Sequence, residues 1–389
     1  MPHSKHTEGP IAERIAHIGN QFAISGDFMY GEELCNGHIN TTYRACYRSE
    51  DGLEERYILQ RINDYVFKDP AQVMRNVEKV TRHITWKLMR RRGRCNAGQI
   101  LTLYPARGGR NYIVLPEEGG MWRCYNNIEG THTYDVVENT RQAYQAGYAF
   151  GSFQELVSDM NPEDIKESIP DLHNTAKRYQ KLLESVAADV KGRAADCQAE
   201  LELLARWADR YSKLTDMQAR GEIPTRITHN DTKINNVMLD EESDQAVCVI
   251  DLDTVMPGLS LYDFGDMVRT ATCEAEEDEK DLSKVKLEMP FFESLVEGYL
   301  DATNEFLTQS EIDNLAFAGW LITTEIGIRF LTDYLDGDLY FRTEYPEHNL
   351  VRARNQLKLA QSIDEKLPRM QRYIRRLMKS YATQFKKPR

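Results

Sequence analysis

The chain has 389 residues, a length that suits two domains or one two-lobed unit, and its 49 Lys and Arg against 61 Asp and Glu give a formal net charge of −12. The segment 365–389 holds nine basic residues and one acidic residue, so the rest of the chain, with 40 basic and 60 acidic residues, carries −20. Because nucleic-acid affinity comes largely from Lys and Arg that neutralise phosphates, this charge argues against nucleic acid or an anionic membrane as the main partner.

The composition is that of a folded cytoplasmic protein. Hydrophobic residues make up 41% and aromatic residues 10%, far from the disordered class. No uncharged apolar run approaches the ~18–20 residues that span a bilayer, and the polar start at 1–10 has no apolar signal core. The seven cysteines include no Cys-x-x-Cys pair, which favours reduced structural thiols over a disulfide framework or a zinc cluster.

Short strand patterns dominate the first part of the chain. The runs 41–48 and 56–62 are rich in β-branched and aromatic residues, and Ser-Glu-Asp-Gly at 49–52 is a turn signal, so the two runs predict a hairpin. Apolar residues recur at helical spacing over 72–89 and predict a helix. Short apolar runs predict three further strands, at 99–104, 112–115 and 121–125.

Helical patterns dominate from Thr140 onward. The predicted helices are 140–158, 174–190, 194–219, 262–272, 289–307, 310–335 and 349–386. One region, 224–255, interrupts them with short apolar strands around a polar loop. A strand-rich start followed by a helix-rich remainder predicts an α+β protein with two lobes of different construction.

The interruption at 224–255 carries the residues with the clearest chemistry. The polar run HNDTKINN at 229–236 follows a short strand, and a hairpin then leads to the apolar strand AVCVIDLD at 246–253, which ends in Asp251-x-Asp253. A His-x-Asp-x-x-x-x-Asn match alone arises by chance in about a few per cent of chains. An apolar strand that ends in Asp fifteen residues after the Asn makes the combination far more specific.

This combination suits phosphoryl transfer, which needs positioning and charge neutralisation more than covalent chemistry. Asp231 stands where a base can accept the proton of an attacking hydroxyl. Asn236 and Asp251 offer the hard oxygen ligands that hold Mg²⁺ against nucleotide phosphates. His229 is expected to brace the loop through hydrogen bonds. Asp253 remains open between a second metal or substrate contact and a loop cap.

The motifs HNDTKINN and VIDLD resemble the signature of the aminoglycoside phosphotransferase and choline kinase family, which are small-molecule kinases with a protein-kinase-like fold. Longer strings extend the resemblance over about residues 12–370, toward the N-acetylhexosamine 1-kinases of this family. Those strings are GHINTTY, RYILQ, MRNVE, THNDTKINN, VIDLDTVMPG, DFGD, EDEKDLSKV and YPEHNLVR.

The resemblance implies a fold, an activity and two substrates. Residues 1–125 are the implied β-rich, nucleotide-binding lobe, and residues 126–389 are the implied helical lobe for catalysis and the acceptor. The implied reaction is the ATP- and Mg²⁺-dependent phosphorylation of the anomeric hydroxyl of N-acetylglucosamine or N-acetylgalactosamine, which yields the sugar 1-phosphate.

Site residues follow from the same resemblance. Asp231 is the implied base, and Asn236 and Asp251 are the implied Mg²⁺ ligands. The positions implied for the acceptor site are Asp231, His38, Arg329 and Tyr340. The positions implied for ATP are Thr41, Gln60, Tyr125, Asn126, Asn127 and Ile250.

Several of these positions also have other interpretations. Gln60 stands where most relatives carry Lys or Arg on the second strand of the lobe, which leaves Glu78 on the following helix without an ion pair. Arg329 lies in an otherwise apolar helical pattern, so a structural ion pair is an alternative to substrate contact. Tyr340 is alternatively a core residue, and His38 a turn residue.

Other classes of protein remain as alternatives. The string VIDLDT at 249–254 also resembles the strand end of haloacid-dehalogenase phosphatases, with Asp251 as nucleophile and Asp253 as acid/base, although no βαβ pattern follows it. A pseudokinase would need a lost base or metal ligand, and Asp231, Asn236 and Asp251 are all present. Within the family, choline, homoserine, methylthioribose and aminoglycoside kinases are the alternatives.

Overall fold

The computed structural model describes residues 9–34, 40–92 and 100–384, and its N-terminal part is built around an antiparallel sheet. In chain order the elements of this part are α1 (Pro10–Gly19), β1 (Asp27–Leu34), β2 (Thr41–Arg48), β3 (Glu54–Arg61), α2 (Pro70–Arg92), β4 (Leu103–Tyr104), β5 (Ile113–Leu115) and β6 (Gly120–Asn126). The predicted hairpin and the predicted helix are confirmed. The three later strands are also present: β4 and β5 are shorter than predicted, and β6 is longer by one residue at each end.

The strand register decides which side chains meet near the centre of this sheet. The strand order is β1-β2-β3-β6-β4, and β5 also pairs with β6. Gln60 of β3 is opposite Thr42 of β2 on one side and opposite Arg123 of β6 on the other. Because side chains opposite each other on neighbouring strands lie about 5 Å apart, a threonine, a glutamine and an arginine come together here.

The remainder of the described chain is mainly helical. Its elements are β7 (Thr131–His132), α3 (Thr140–Val157), α4 (Thr175–Ala188), α5 (Gln198–Arg206), α6 (Lys213–Ala219), β8 (Arg226–Thr228), β9 (Val237–Asp240), β10 (Ala246–Val249), β11 (Met256–Gly258), α7 (Ser260–Ala271), α8 (Met289–Thr303), α9 (Gln309–Asp336) and α10 (His348–Gln384). The mixed α+β architecture predicted from the sequence is confirmed.

Helix α9 is the central helix of this part. Its 28 residues are long and apolar enough to cross a membrane, but 89% of its most apolar window is buried inside the protein. A capping box at Thr308 and Glu311 begins the helix, because each residue satisfies the other's backbone N–H. It packs against α4, α7 and α10, so its apolar composition is explained by burial in the protein core.

Helix α2 joins the sheet to the helical part. Its residues Val73 and Val77 share a buried cluster with Phe153 of α3 and with Leu252, which follows β10. This apolar contact holds the sheet against the segment that carries Asp251. The geometry between the two parts is therefore set partly by a continuous core.

The structure differs from the sequence-based prediction at strand β1, at the strand number of Gln60 and over the helix at 194–219. Strand β1 was not predicted, because its acidic, half-exposed sequence at the sheet edge lacks a clear alternating pattern. As a result, Gln60 lies on the third strand rather than the second. The helix predicted over 194–219 is broken into α5 and α6, because Trp207 and Tyr211 turn inward to contact Trp320.

The predicted strand 246–253 is also shorter than expected. Strand β10 ends at Val249, and Asp251 adopts a left-handed conformation with φ of 59° that leads into one turn of 3₁₀ helix. A left-handed residue reverses the chain and ends the regular strand ladder. The last strand of the N-terminal sheet, β6, ends at Asn126, and the next helix is α3. The lobe division between residues 125 and 126 stays a prediction.

Candidate active site

Asp231 lies on the loop between β8 and β9, beside the buried His229. The Asp231 backbone N–H donates to Nδ1 of His229 at 3.3 Å, so this nitrogen is an acceptor. The opposite nitrogen, Nε2, donates to the carbonyl of Ile250 at 2.9 Å. His229 therefore links the Asp231 loop to the segment before Asp251 through both of its ring nitrogens.

Two carboxylates of α7 accept hydrogen bonds from the backbone of the same loop. Asp263 accepts the backbone N–H groups of His229 (2.9 Å) and Asn230 (2.7 Å), and Asp266 accepts that of Thr232 (2.9 Å). Burial raises the pKa of Asp263, although these hydrogen bonds oppose the shift. Sequence reasoning missed both roles. The available signal was a pair of acidic residues inside an otherwise apolar helix pattern.

The Asp231 carboxylate has a donor on each oxygen. The Asn236 side-chain amide donates to the backbone oxygen of Asp231 at 2.9 Å and to Oδ2 at 3.2 Å, and Nζ of Lys233 lies 3.3 Å from Oδ1. The carboxylate raises the pKa of Lys233, which therefore stays protonated. With its NH₂ group turned to Asp231, Asn236 keeps its side-chain oxygen for another ligand.

Asp251 faces a local excess of negative charge. Burial and the neighbouring carboxylates of Asp253 and Asp231 raise its pKa to about 7, against the opposing effect of Arg123 and Lys233. A bound divalent cation relieves such an arrangement by replacing the proton. Within residues 9–34, 40–92 and 100–384, no three His, Cys, Asp or Glu side chains form a metal cluster. Mg²⁺ does not need one, because it uses one or two protein carboxylates with phosphate and water oxygens.

Asp253 is buried in an ion pair between the two parts of the protein. Its carboxylate accepts from the guanidinium of Arg123 in β6 and from the amide of Asn40, the latter at 2.7 Å. Both Arg123 and Asp253 are almost fully buried, at 0% and 3% exposure. The sequence left Asp253 open between a second metal or substrate contact and a loop cap, and in the structure each of its carboxylate oxygens has a protein partner. Sequence reasoning missed Arg123 and Asn40.

Arg123 also supplies the positive charge next to Gln60. Its Nε donates to Oε1 of Gln60 at 3.0 Å, and the Gln60 amide donates to Thr42 at 3.1 Å. Glu78 instead lies 3.9 Å from Arg82, one turn along α2. The resemblance implies a cation on the Gln60 strand, and in this structure the neighbouring strand supplies one, Arg123.

The other positions implied for ATP are partly occupied by protein contacts. The side chain of Asn126 accepts from the N–H of Thr102 at 2.7 Å, and the N–H of Asn127 donates to the carbonyl of Arg56 at 3.0 Å. Ile250 donates its N–H to the carbonyl of Asn236 at 2.9 Å. Tyr125 is buried under the Arg123 guanidinium, and Thr41 begins strand β2.

Of the positions implied for the acceptor, His38 lies outside the described residues. Arg329 of α9 has its guanidinium carbon 5.9 Å from the ring centre of Tyr340. No carboxylate among the described residues forms an ion pair with Arg329, so the structural ion pair is not observed. Tyr340 is 53% exposed, which excludes the alternative that it is a core residue.

The segment that carries Tyr340 is held by Asp333. This carboxylate accepts the backbone N–H groups of Leu339 (2.9 Å), Tyr340 (2.8 Å) and Phe341 (3.0 Å). The hydroxyl of Tyr65, which follows β3, reaches the carbonyl of Leu339 at 3.4 Å. The Tyr340 segment therefore meets the sheet part of the protein.

A cavity of about 1020 Å³ lies elsewhere, between α2, α3 and the β9–β10 hairpin. Leu88, Phe153 and Cys248 are among its lining residues, whereas Asp231 is not. Leu252, the residue after Asp251, also lines this cavity, whereas none of residues 229–236 does.

The fold and the arrangement of Asp231, Asn236 and Asp251 define a class of protein, the phosphotransferases with a protein-kinase-like fold. Solved structures agree on the fold. A microcompartment-associated aminopropanol kinase matches with a TM-score of 0.53 and 16% identity, over 92% of this chain and 98% of that one. A choline kinase from Cryptosporidium parvum Iowa II matches with a TM-score of 0.52 and 11% identity, over 92% and 96%. An ethanolamine kinase from Plasmodium vivax matches with a TM-score of 0.51 and 13% identity, over 84% and 80%.

At these identities the likeness establishes the fold alone, and the protein-kinase-like fold expected from the sequence is confirmed. The family follows from a different comparison. The sequence model of the phosphotransferase enzyme family matches residues 34–304, more than half of the chain. The chain belongs to this family and is a small-molecule kinase. This membership, with the antiparallel β9–β10 hairpin before Asp251, contradicts the haloacid-dehalogenase alternative.

Proposed function

We propose that the protein uses ATP and Mg²⁺ to phosphorylate the anomeric hydroxyl of N-acetylglucosamine or N-acetylgalactosamine. The observation that carries the chemistry is the Asp231 carboxylate, oriented by Asn236 and Lys233 beside the electrostatically strained Asp251. The choice of sugar is supported by the sequence resemblance, which extends over most of the chain. We also propose a cytoplasmic location, with no nucleic acid or membrane as partner.

Asp231 is the proposed base. Its carboxylate accepts the proton of the acceptor hydroxyl as that oxygen attacks the terminal phosphorus of ATP. An ion pair with Lys233 and a hydrogen bond from Asn236 orient the carboxylate. A hydrogen bond between His229 and the carbonyl of Ile250 fixes the loop. The chain's contribution is therefore mainly one of positioning, as expected for phosphoryl transfer.

Asn236 and Asp251 are the proposed Mg²⁺ ligands. The raised pKa of Asp251 supports this assignment, because a buried carboxylate among other carboxylates gains from a nearby cation. Mg²⁺ bound there neutralises charge on the ATP phosphates. Removal of Mg²⁺ with a chelator is expected to abolish turnover.

The nucleotide is proposed to lie between the sheet and the Asp251 segment, near Thr41, Gln60 and Ile250, and along Tyr125–Asn127. The position of Gln60 supports this placement, because its side chain is bonded to Arg123, which also pairs with Asp253, two residues after Asp251. Arg123 itself is enclosed, so we assign it to holding Gln60 and Asp253 rather than to phosphate contact.

An acceptor screen tests the proposed function. Purified protein with Mg²⁺ and ATP is assayed for acceptor-dependent ADP release across N-acetylated hexoses, plain hexoses, choline, ethanolamine and aminoglycosides. We expect turnover with the N-acetylated hexoses and formation of the 1-phosphate, which ³¹P NMR distinguishes from other phosphate esters. Preference for an amine acceptor would agree with the proposed kinase activity but contradict the proposed N-acetylhexosamine acceptor. A protein that releases no ADP with any acceptor would contradict the proposal.

A further inference from the structure

Residues 274–281, which lie between α7 and α8 and which we call the acidic segment, connect two parts of the candidate active site. Six of the eight residues are Asp or Glu, a run that usually forms a solvated surface. The strings EDEKDLSKV and YPEHNLVR both carry the sequence resemblance, but neither contains a residue of the proposed chemistry. In the structure the two strings meet, because the Asp278 carboxylate lies 3.2 Å from Nε2 of His348 and the Lys280 ammonium lies 4.3 Å from the ring centre of Tyr345.

The acidic segment reaches the Asp231 loop through Arg269, in the last turn of α7. Nε and Nη2 of Arg269 lie 2.9 and 2.8 Å from Oδ1 of Asp266, and Nη1 donates to Oε1 of Glu277 at 2.6 Å. The other oxygen of Asp266 accepts the N–H of Thr232, the residue after Asp231, at 2.9 Å. Burial opposes the charge of Arg269, but Asp266 and Glu277 raise its pKa. One arginine and one carboxylate therefore connect the acidic segment to the backbone beside the base.

The acidic segment reaches the Tyr340 segment through the first residues of α10. His348, the partner of Asp278, has a side chain that is only 1% exposed. The next residue, Asn349, donates to Oδ2 of Asp333 at 2.9 Å. Asp333 is the carboxylate that accepts three backbone N–H groups of the Tyr340 segment. The two ends of the acidic segment are thus bonded to the two parts of the site.

Helix α10 also fixes the backbone of the acidic segment. The Asn355 side-chain amide donates to the carbonyl of Glu276 at 2.9 Å and lies 3.3 Å from that of Glu279. Asn355 itself is buried. A run that is bonded through both its side chains and its main chain can transmit a position, which a freely solvated run cannot.

We propose that the acidic segment is a positioning element, which keeps the Asp231 loop and the Tyr340 segment at a fixed distance from each other. Glu277 and Asp278 are its positioning residues, one for each connection. An acceptor bound at the Tyr340 segment then presents its hydroxyl to the base without further movement of either part, and a misplacement of about 1 Å costs up to about 10² in rate. This inference rests on the proposed function and extends it to residues that the resemblance did not assign.

Two alanine substitutions test the inference, because each breaks one connection. Glu277→Ala and Asp278→Ala are each expected to lower kcat/KM for N-acetylglucosamine by about tenfold. The KM for ATP and the midpoint of thermal unfolding should change little, since these side chains are 40% and 38% exposed. The double variant is expected to lose little more than either single variant, because release of one end already frees the segment.

The matched control is Glu276→Ala. Glu276 is exposed and is bonded to Asn355 through its backbone carbonyl, so the same charge is removed and both connections remain. Its kcat/KM should equal that of the wild type. Glu277→Gln keeps an oxygen that can accept from Arg269, and it should recover part of the rate lost in Glu277→Ala.

Amide hydrogen exchange provides a measurement that needs no acceptor. In peptides that cover residues 229–236 and 337–343, Glu277→Ala and Asp278→Ala are each expected to exchange about tenfold faster than the wild type, whereas Glu276→Ala should not. Both peptides should respond in both variants, because the segment connects them.

The outcomes separate this inference from the proposed function. If the wild type phosphorylates N-acetylglucosamine and neither variant changes kcat/KM, the positioning element is rejected and the kinase stands. Losses that multiply in the double variant would show two independent sites and would also reject it. If no acceptor yields ADP, the proposed function is rejected and hydrogen exchange decides the inference. Faster exchange in both peptides supports it, and exchange that is unchanged, or changed in one peptide alone, overturns it.

Discussion

At the scale of single residues, several side chains of the site form two hydrogen bonds each, and these bonds fix the position of the Asp231 loop. His229 joins the Asp231 loop to Ile250, and Asp263 holds two consecutive N–H groups of that loop. Asp231 is in turn oriented through both carboxylate oxygens. Each of these side chains has two partners. We therefore expect a conservative substitution at one of them to lower the rate of phosphoryl transfer more than it lowers the stability of the fold.

Replacement of Asp231 by Asn is predicted to lower kcat by about 10² to 10⁴, because the amide keeps the shape but cannot accept the proton. The affinity for Mg²⁺-ATP and the midpoint of thermal unfolding are expected to change little. Steady-state kinetics and calorimetric titration with a non-hydrolysable nucleotide measure the two effects. Asp209→Asn, an exposed change of the same kind, is the control. A kcat for Asp231→Asn within tenfold of the wild type would remove Asp231 from the role of base.

Replacement of Asp333 by Asn is predicted to act on the acceptor alone. The change puts an NH₂ group in place of one acceptor oxygen, so at least one N–H among Leu339, Tyr340 and Phe341 loses its partner. We expect the KM for the acceptor to rise by about tenfold, since each 1.4 kcal/mol of lost binding is a factor of ten. The KM for ATP should stay the same, and Asp336→Asn, one turn along α9, is the control. Equal increases in both KM values would contradict a local role.

At the scale of elements, the start of α9 is tied to the strand before the catalytic loop. Glu311 caps α9 and also accepts from the guanidinium of Arg226 in β8 at 2.6 and 2.8 Å and from the Ser260 hydroxyl at 2.7 Å. Burial opposes ionisation of Glu311, but these donors outweigh it and lower its pKa. One carboxylate thus holds the first residues of α7, α9 and β8 together.

Replacement of Glu311 by Gln is predicted to lower the free energy of unfolding by about 3–5 kcal/mol at pH 7, because the Arg226 side chain, which is 14% exposed, then loses its ionised partner. A folded-state pKa below the unfolded value contributes stability that is present above the unfolded value and lost as the pH falls. The difference between wild type and variant should therefore shrink below about pH 4.5. Urea unfolding at several pH values measures it, with Glu202→Gln as the exposed control. A difference that does not depend on pH would show that Glu311 is not stabilised as the anion.

At the scale of the whole molecule, the sheet and the helical part are joined by a polar contact beside an apolar one. The apolar contact is that of α2 with Phe153 and Leu252, and the polar one is Arg123 and Asn40 on Asp253. The polar contact lies beside Asp251 and Gln60, so it sets the distance between the proposed metal ligand and the sheet.

Replacement of Arg123 by Met is predicted to destabilise the protein by about 3–5 kcal/mol, because Asp253 is then left as a buried, unpaired charge. The double change Arg123→Met with Asp253→Asn should recover much of this loss, since neither charge remains. Unfolding in urea and a double-mutant cycle give the coupling energy, with Arg110→Met as the exposed control. Additive effects of the two substitutions would contradict a direct ion pair between the parts.

The sequence by itself determined the features that are local in the chain. Alternation and helical spacing predicted β2, β3, α2, α3 and α9, because each pattern lies within one element. The Asp231 loop and Asp251 were predicted for the same reason, since their spacing is short and their residue types have few other uses together. The sequence also showed that Gln60 stands where the resemblance implies Lys or Arg. It did not show that Arg123 of the neighbouring strand is bonded to Gln60.

Only the tertiary structure decided the contacts between distant parts of the chain. Arg123 and Asp253 are 130 residues apart, and no pattern along the sequence pairs a strand arginine with one particular carboxylate. The same holds for Glu325, which takes His173 and Thr175 as partners from 150 or more residues earlier in the chain. Which of several charges are neutralised depends on three-dimensional proximity and burial, and local periodicity carries no information on either.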